Sequence, residues 1–86
     1  MAEYNYTIQQ QLEKKLYELG MFPEQAHDVL VTAMESMEEM KGRWEESFSD
    51  YPEPMKAVLW ITIKSHALAW VKEKLPNAWY IPLLEA

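Results

Sequence analysis

Few residues in this sequence are of the types that support catalysis or metal binding, and the two histidines are the first to consider. His27 follows Glu24 by three residues, and di-iron bundles use this Glu-x-x-His spacing for metal ligands. Such a site also needs further carboxylates and a second histidine from facing helices. The other histidine, His66, has no acidic residue one helical turn away. We therefore predict no metal and no cofactor, with His27 at the surface and His66 at the edge of the core.

Nucleophilic catalysis and phosphate transfer also lack their usual residues. The chain has no cysteine, and Ser65 and His66 are sequence neighbours, whose side chains do not face each other on a helix. Gly20 and Gly42 are isolated, so there is no glycine-rich phosphate-binding loop. An acid and a histidine can act as an acid–base pair, but 86 residues of mainly helical pattern leave little room for an enclosed pocket. We predict that the protein is not an enzyme.

Any site must be positioned by helices, and the stretch 55–75 is the longest apolar one. Pro54 precedes it and Pro76 ends it, because proline fits the first helical turn and disfavours helix in the residue before it. Apolar residues occupy most of its circumference, so we predict a helix covered on nearly all sides by the chain itself or by a second copy. Its apolar residues form two adjacent rows, the first at spacings of four, three and four (Leu59, Ile63, His66 and Trp70) and the second alongside it (Trp60, Ala67 and Val71).

Two shorter amphipathic helices are predicted before this stretch. Thr7 and Gln10 have capping-box spacing, so the first helix should cover 8–19, with Gly20 as its C-terminal cap. The second should begin at Pro23 and run to 41 with a break or kink near Gly42, or continue to 48. Its inward-facing row alternates by four and three residues: Ala26, Leu30, Ala33, Met37, Met40 and Trp44.

The predicted fold class is all-α, a small three-helix bundle in a single domain over 1–86. Residues 1–6 should form a loose lead-in. Residues 76–86 are predicted to be an extended apolar tail packed across the bundle, because Pro76 and Pro82 at its ends argue against a helix. So much apolar surface near a terminus needs a cover, either from its own domain or from another chain.

The net charge of −6 is unevenly distributed along the chain. Residues 24–53 carry a local balance of −7, whereas residues 54–74 carry +3. This distribution predicts no direct binding to nucleic acid, because phosphate contacts require a basic surface. An acidic helical face can instead imitate the phosphates of nucleic acid, or can simply keep a helix solvated. The candidate acidic face consists of Glu35, Glu38, Glu39, Glu45, Glu46 and Asp50.

Methionine and aromatic residues form the candidate protein interface, since tryptophan, tyrosine and methionine are enriched at interfaces. The alternative is that the same residues form an ordinary core, and this alternative is favoured for the helical rows. For the tail, docking on its own domain and docking on a partner are both left open. The candidate interface residues are Met34, Met37, Met40, Trp44, Trp79 and Tyr80.

The sequence also favours a cytoplasmic protein that does not cross a membrane. The N-terminal stretch is polar, with no basic start followed by an apolar block, and so does not have the pattern of a signal peptide. The stretch 55–75 is long enough to span a bilayer, but lysines, a histidine, a serine and a threonine within it argue against insertion.

The C-terminal third resembles the close of short uncharacterised proteins from phages and prophages. The resemblance rests on Trp70 in the last long helix, on the run PNAWYIPL at 76–83 and on the run YPEP at 51–54. It implies a phage or prophage origin and a small accessory role, and it brings no established activity and no functional residues. An anti-defence role would also suit such an origin, by association only.

These patterns lead to two functional hypotheses. The first is a small non-enzymatic protein-interaction module, which binds a protein partner or associates with itself as a homodimer. The alternative is an acidic inhibitor that mimics nucleic acid and blocks a host nucleic-acid-binding or defence protein. Added salt should weaken binding by such an inhibitor steeply and affect an apolar interface little.

Overall fold

The computed structural model describes residues 6–86 as a helical bundle, and this range contains no β-strand. The predicted all-α class is therefore confirmed. Residues 1–5 of the predicted lead-in lie outside the described residues. The helices are α1 (Ile8–Leu19), α2 (Pro23–Ser36), α3 (Glu53–Lys74) and α4 (Ile81–Glu85), and two single 3₁₀ turns (Glu38–Met40 and Phe48–Asp50) lie between α2 and α3.

The N-terminus of α1 is closed by the predicted capping box. The Thr7 hydroxyl accepts a hydrogen bond from the Gln10 backbone N–H at 3.1 Å, and the Gln10 side-chain oxygen accepts one from the Thr7 backbone N–H at 3.0 Å. Two N–H groups that a helix normally leaves open are also satisfied: Ile8 donates to the Glu46 carbonyl at 2.9 Å and Gln9 to the Trp44 carbonyl at 3.1 Å. The segment after α2 therefore returns to the start of α1.

Removing this cap gives a direct test of the N-terminal closure. We expect Thr7→Ala to lower the free energy of unfolding by about 0.5–2 kcal/mol, because the Gln10 N–H loses its acceptor. Thr32→Ala is the matched control, since the exposed Thr32 hydroxyl donates to the Asp28 carbonyl within α2 and caps nothing. Urea denaturation of both variants measures the difference. Equal losses would show that the Thr7 cap contributes nothing specific.

The prediction that the second helix runs to 41 or 48 is wrong, because α2 ends at Ser36. The Ser36 hydroxyl donates to the Ala33 carbonyl at 2.9 Å, and Met37 leaves the helical region with φ −105° and ψ 80°. Gly42 has φ +80° and lies in the turn that follows the first 3₁₀ turn, so it is part of a reversal of the chain and not a helix kink. The early end of α2 lets residues 41–47 reach the open N–H groups of α1.

The core lies where α1 and α2 pack on one side of α3. The buried residues of α3 follow a spacing of four (Leu59, Ile63, Ala67 and Val71), so they pass from the first predicted row to the second and leave His66 and Trp70 beside them. Both of these side chains are half-buried. The Trp70 indole N–H donates to an Asp28 carboxylate oxygen at 3.1 Å, and His66 Nε2 lies 3.5 Å from the Ser36 hydroxyl.

The described chain does not itself cover α3 on nearly all sides, so that cover is wrong as predicted, whereas the alternative cover by a second copy stays a prediction. Val58 is 56% exposed and Ile61 is 62% exposed, and Met55 near the start of the helix is exposed as well. The helices α1, α2 and α4 contact α3 but leave this side open. Within residues 6–86, no helix combines the length and the apolar composition needed to cross a bilayer.

The C-terminal segment packs across the bundle as predicted, but it is not extended throughout. Residues Ile81–Glu85 form α4, with Pro82 in the first turn, where its missing N–H removes no intrahelical hydrogen bond. Leu84 is buried, and α4 packs against α3. The Lys72 ammonium pairs with the Glu85 carboxylate at 3.3 Å, and Lys64 donates to an Ala86 oxygen at 2.6 Å.

Candidate functional site

The candidate interface residues divide into buried and exposed members. Met37, Met40 and Trp44 are buried in the chain's own core, and Met34 is half-buried against it. This methionine–tryptophan row therefore belongs to the core, which is the alternative that the sequence favours for it. In the C-terminal segment, Tyr80 is buried, whereas its neighbour Trp79 projects into solvent.

Gly20 is the point at which the C-terminal segment meets the turn between α1 and α2. A Cβ atom built on Gly20 would lie 2.7 Å from Trp79 Cζ2 and 2.7 Å from Tyr80 Cδ1, closer than real Cβ contacts allow. The rings of Trp79 and Tyr80 are themselves packed edge to face, with their centroids 5.6 Å apart. The absence of a side chain at Gly20 thus creates the place where these two rings sit.

Trp79 and Phe22 are the two most exposed large hydrophobic side chains in the described part of the chain, at 71% and 70%. Phe22 is the residue before α2, and its N–H donates to the side-chain oxygen of Gln25 at 3.0 Å. This hydrogen bond holds the backbone at the start of α2 and leaves the ring in solvent. Both rings line one open groove.

The groove is formed by the α1–α2 turn on one side and by the end of α3 with the C-terminal segment on the other. Its volume is about 570 Å³. We call it the Phe22–Trp79 groove. Its lining residues are Gly20, Phe22, Gln25, Lys74, Leu75, Pro76, Asn77, Ala78, Trp79 and Tyr80.

The polar groups of the Phe22–Trp79 groove favour hydrogen-bond acceptors on a ligand. The Lys74 ammonium lies 5.7 Å from the centre of the Trp70 ring and pairs with no carboxylate among residues 6–86. The Gln25 amide uses its oxygen on Phe22, which leaves its NH₂ group to donate. Burial raises the pKa of Tyr80 above its ordinary value of 10.0, so the phenol is neutral at physiological pH. The groove therefore combines two exposed aromatic rings with one cation and contains no acidic residue.

The candidate acidic face is exposed but does not lie on one helix. Because α2 ends at Ser36, Glu35 is the only one of the six on α2. The other five lie in the two 3₁₀ turns and in the segment between them. Lys41 and Arg43 lie within the same segment and are exposed too. None of the six carboxylates forms an ion pair with another described residue.

The two histidines contact different residues, and neither lines the Phe22–Trp79 groove. His27 Nδ1 lies 3.3 Å from a Glu13 carboxylate oxygen of α1, and the His27 side chain is exposed. Within the described part of the chain, no three histidine, aspartate or glutamate side chains come together in a way that could hold a metal ion.

Sequence reasoning identified Trp79 from its residue type and missed Phe22. The sequence indicates that Phe22 opens the second helix before Pro23, but nothing local shows that the C-terminal segment returns to this point. The available signal was Phe22 itself, an aromatic residue at the cap position, where a serine, threonine, aspartate or asparagine is usual. The sequence also did not indicate which side of α3 is left open. The reason is related: when a helix is apolar all round, its sequence does not show which side packs on the core.

Comparison of the chain with protein-family models, with curated proteins and with solved structures finds no match.

Proposed function

We propose that the protein is a small non-enzymatic protein-interaction module and that the Phe22–Trp79 groove is its binding surface. The observation that carries the proposal is that the two most exposed large hydrophobic side chains of the described chain line one groove. Exposed tryptophan in an apolar depression is the residue type and setting that most often contributes a large share of binding energy. A small accessory role, which the resemblance of the C-terminal third implies, agrees with such a module.

The chemistry of the groove selects an apolar segment that carries a carboxylate. Phe22 and Trp79 offer apolar surface, which an aliphatic side chain of a partner would cover. Lys74 and the Gln25 NH₂ group offer donors without an internal acceptor. Since a charge-assisted hydrogen bond to a carboxylate is stronger than a neutral one, an aspartate or glutamate next to the aliphatic residue should be preferred. The partner is therefore expected to present an aliphatic residue beside an acidic one.

Selection from a random peptide library displayed on phage tests this proposal. We expect the wild-type protein to enrich peptides in which an aliphatic residue stands next to aspartate or glutamate. Trp79→Ala should weaken binding of the selected peptides at least about 30-fold, the equivalent of about 2 kcal/mol. Titration of labelled synthetic peptides by fluorescence anisotropy gives the dissociation constants.

The matched control is Tyr17→Ser, which changes an exposed aromatic residue of α1 that does not line the groove. This variant should bind the selected peptides as tightly as the wild type, whereas Phe22→Ser should bind them weakly. Selected peptides that bind Trp79→Ala and the wild type equally well would refute the groove as the binding surface. Circular dichroism of each variant separates lost binding from lost folding.

The exposure of all six carboxylates on the acidic face, none with an ionic partner in residues 6–86, supports the acidic inhibitor as the second candidate. Such an inhibitor would present these charges from turns and not from a helical ladder, so its target would need to accept an irregular spacing. Binding that depends on this face should weaken steeply as salt is added, because exposed charges are screened. Binding through the Phe22–Trp79 groove should change little over the same range.

A further inference from the structure

A second exposed apolar surface lies on α3, away from the Phe22–Trp79 groove. It consists of residues on the side of α3 that α1, α2 and α4 leave uncovered, and we call it the outer face of α3: Met55, Val58, Ile61, Thr62, Ser65 and Ala69. After Trp79 and Phe22, Ile61 and Val58 are the most exposed large hydrophobic side chains in the described chain. A helix normally buries its apolar stripe, so we expect another surface to pack against this face.

The outer face of α3 is bulky and apolar in its N-terminal half, whereas its C-terminal half holds the small Ala69 and, two turns after Ser65, the exposed Lys72, which pairs with Glu85. Met55, Val58 and Ile61 lie before Ser65, and Ala69 lies one turn after it. Thr62, a polar side chain on this face, donates its hydroxyl to the Val58 carbonyl at 2.9 Å. Its hydrogen-bonding proton is therefore already satisfied, and covering it leaves no donor unpaired.

We propose that this face pairs with the same face of a second copy, with the two α3 helices antiparallel around a two-fold axis near Ser65. In that arrangement the positions four residues before and after Ser65 meet, so Ile61 of one chain packs on the partner's Ala69. The bulky Ile61 then lies beside the small Ala69 at both ends of the contact, and Val58 meets the partner's Lys72, whose aliphatic stem can cover it. Ser65 at the centre is small enough to allow close approach of the two helices.

The charges that flank the face are complementary in the same orientation. Arg43 lines the hollow beside Met55 and Val58, at one end of the face. Glu73 follows Met55 by eighteen residues, which is five turns of 3.6 residues, so it lies on the same side of α3 at the other end. A two-fold axis that reverses the helix direction brings Arg43 of each chain towards the partner's Glu73. Neither side chain has an ionic partner within residues 6–86. A parallel pairing would put like charges together.

A single introduced cysteine tests this arrangement cleanly, because the chain has no cysteine of its own. We expect Ser65→Cys to form a covalent dimer on mild oxidation, since a residue near the two-fold axis faces its own counterpart at a distance that a disulfide can span. Thr32→Cys, on the exposed side of α2, is the matched control and should stay monomeric under the same conditions. Denaturing gel electrophoresis without reductant measures both.

Light scattering of the unmodified chain provides an independent readout. We expect the mass to rise from one chain to two with increasing concentration, and Ile61→Lys to remain at one chain while its circular dichroism stays unchanged. Arg43→Glu and Glu73→Arg should each weaken the dimer, and the double substitution should restore it. A chain that stays at monomer mass at every concentration, or Thr32→Cys cross-linking as readily as Ser65→Cys, would overturn the proposal. Peptide binding in the groove is measured separately and does not depend on this result.

Discussion

Ile63→Ala should lower the free energy of unfolding by about 2–5 kcal/mol, a large part of the stability of so small a domain. Ile63 has no exposed surface and lies in the middle of the buried row of α3, where α1 and α2 both pack. Removing its outer carbon atoms loses apolar burial and leaves a cavity that a tightly packed core fills only in part. Urea denaturation followed by circular dichroism gives the change.

Ile61→Ala is the control for this substitution, because it removes the same atoms two residues away on the same helix. Ile61 is 62% exposed, so we expect a change within about 0.5 kcal/mol when the measurement is made at a concentration where the chain is monomeric. Equal losses for the two isoleucines would mean that α3 is rotated relative to the core described above. A larger loss for Ile61 would reverse the assignment of its buried and outer sides.

Gly20→Ala should be the other strongly destabilising substitution, with an expected cost of about 2–6 kcal/mol from backbone strain together with overpacking. Gly20 has φ +135°, a backbone conformation that residues with a side chain rarely adopt. The new methyl group would also collide with the rings of Trp79 and Tyr80, so the C-terminal segment would have to move. Thermal and urea unfolding measure the loss.

Gly42→Ala separates the two contributions to this cost. Gly42 also has a positive φ, but no atom lies within 4 Å of the position that a Cβ would take. Its substitution should therefore show the backbone cost alone, about 1–3 kcal/mol, and should leave peptide binding in the groove intact. If Gly20→Ala binds peptides normally and is no less stable than Gly42→Ala, the C-terminal segment does not dock against Gly20.

Local sequence signals predicted the beginnings of the three longer helices, because capping and proline effects act within a few residues. Thr7 with Gln10 marked the start of α1, and Pro23 and Pro54 stand in the first turns of α2 and α3. The end of α2 was not predictable in this way. The chain that follows α2 is held by hydrogen bonds from the start of α1 to the carbonyls of Trp44 and Glu46, which are distant in sequence.

The C-terminal segment shows the limit of a residue-by-residue rule. Pro82 argues against a helix only when it falls beyond the first turn, and in α4 it lies within the first turn, where proline is well accommodated. Trp79 and Tyr80 were both candidates because of their residue type, and Trp79 is exposed whereas Tyr80 beside it is buried. Which of two adjacent aromatic residues faces solvent depends on the docking of the segment at Gly20, and no local pattern encodes that.

The buried row of α3 takes Leu59 and Ile63 from one predicted row and Ala67 and Val71 from the other, whereas His66 and Trp70 are half-buried. The sequence pattern of an almost uniformly apolar helix does not indicate which side of the helix faces the core. The orientation is set instead by α1 and α2, which pack on one side. The same uniformity concealed the outer face of α3.

The most direct test of the Phe22–Trp79 groove is fluorine NMR of the protein labelled with 5-fluorotryptophan, which gives a separate signal for each of the four tryptophans. The shift of each signal between H₂O and D₂O reports how much solvent reaches that ring. We expect the largest solvent shift for Trp79 and the smallest for Trp44, with single Trp→Phe variants assigning the signals. We also expect the Trp79 signal alone to move strongly when a selected peptide is added. A small solvent shift for Trp79 would contradict the proposed site. So would a peptide that moves the other tryptophan signals and leaves the Trp79 signal unchanged.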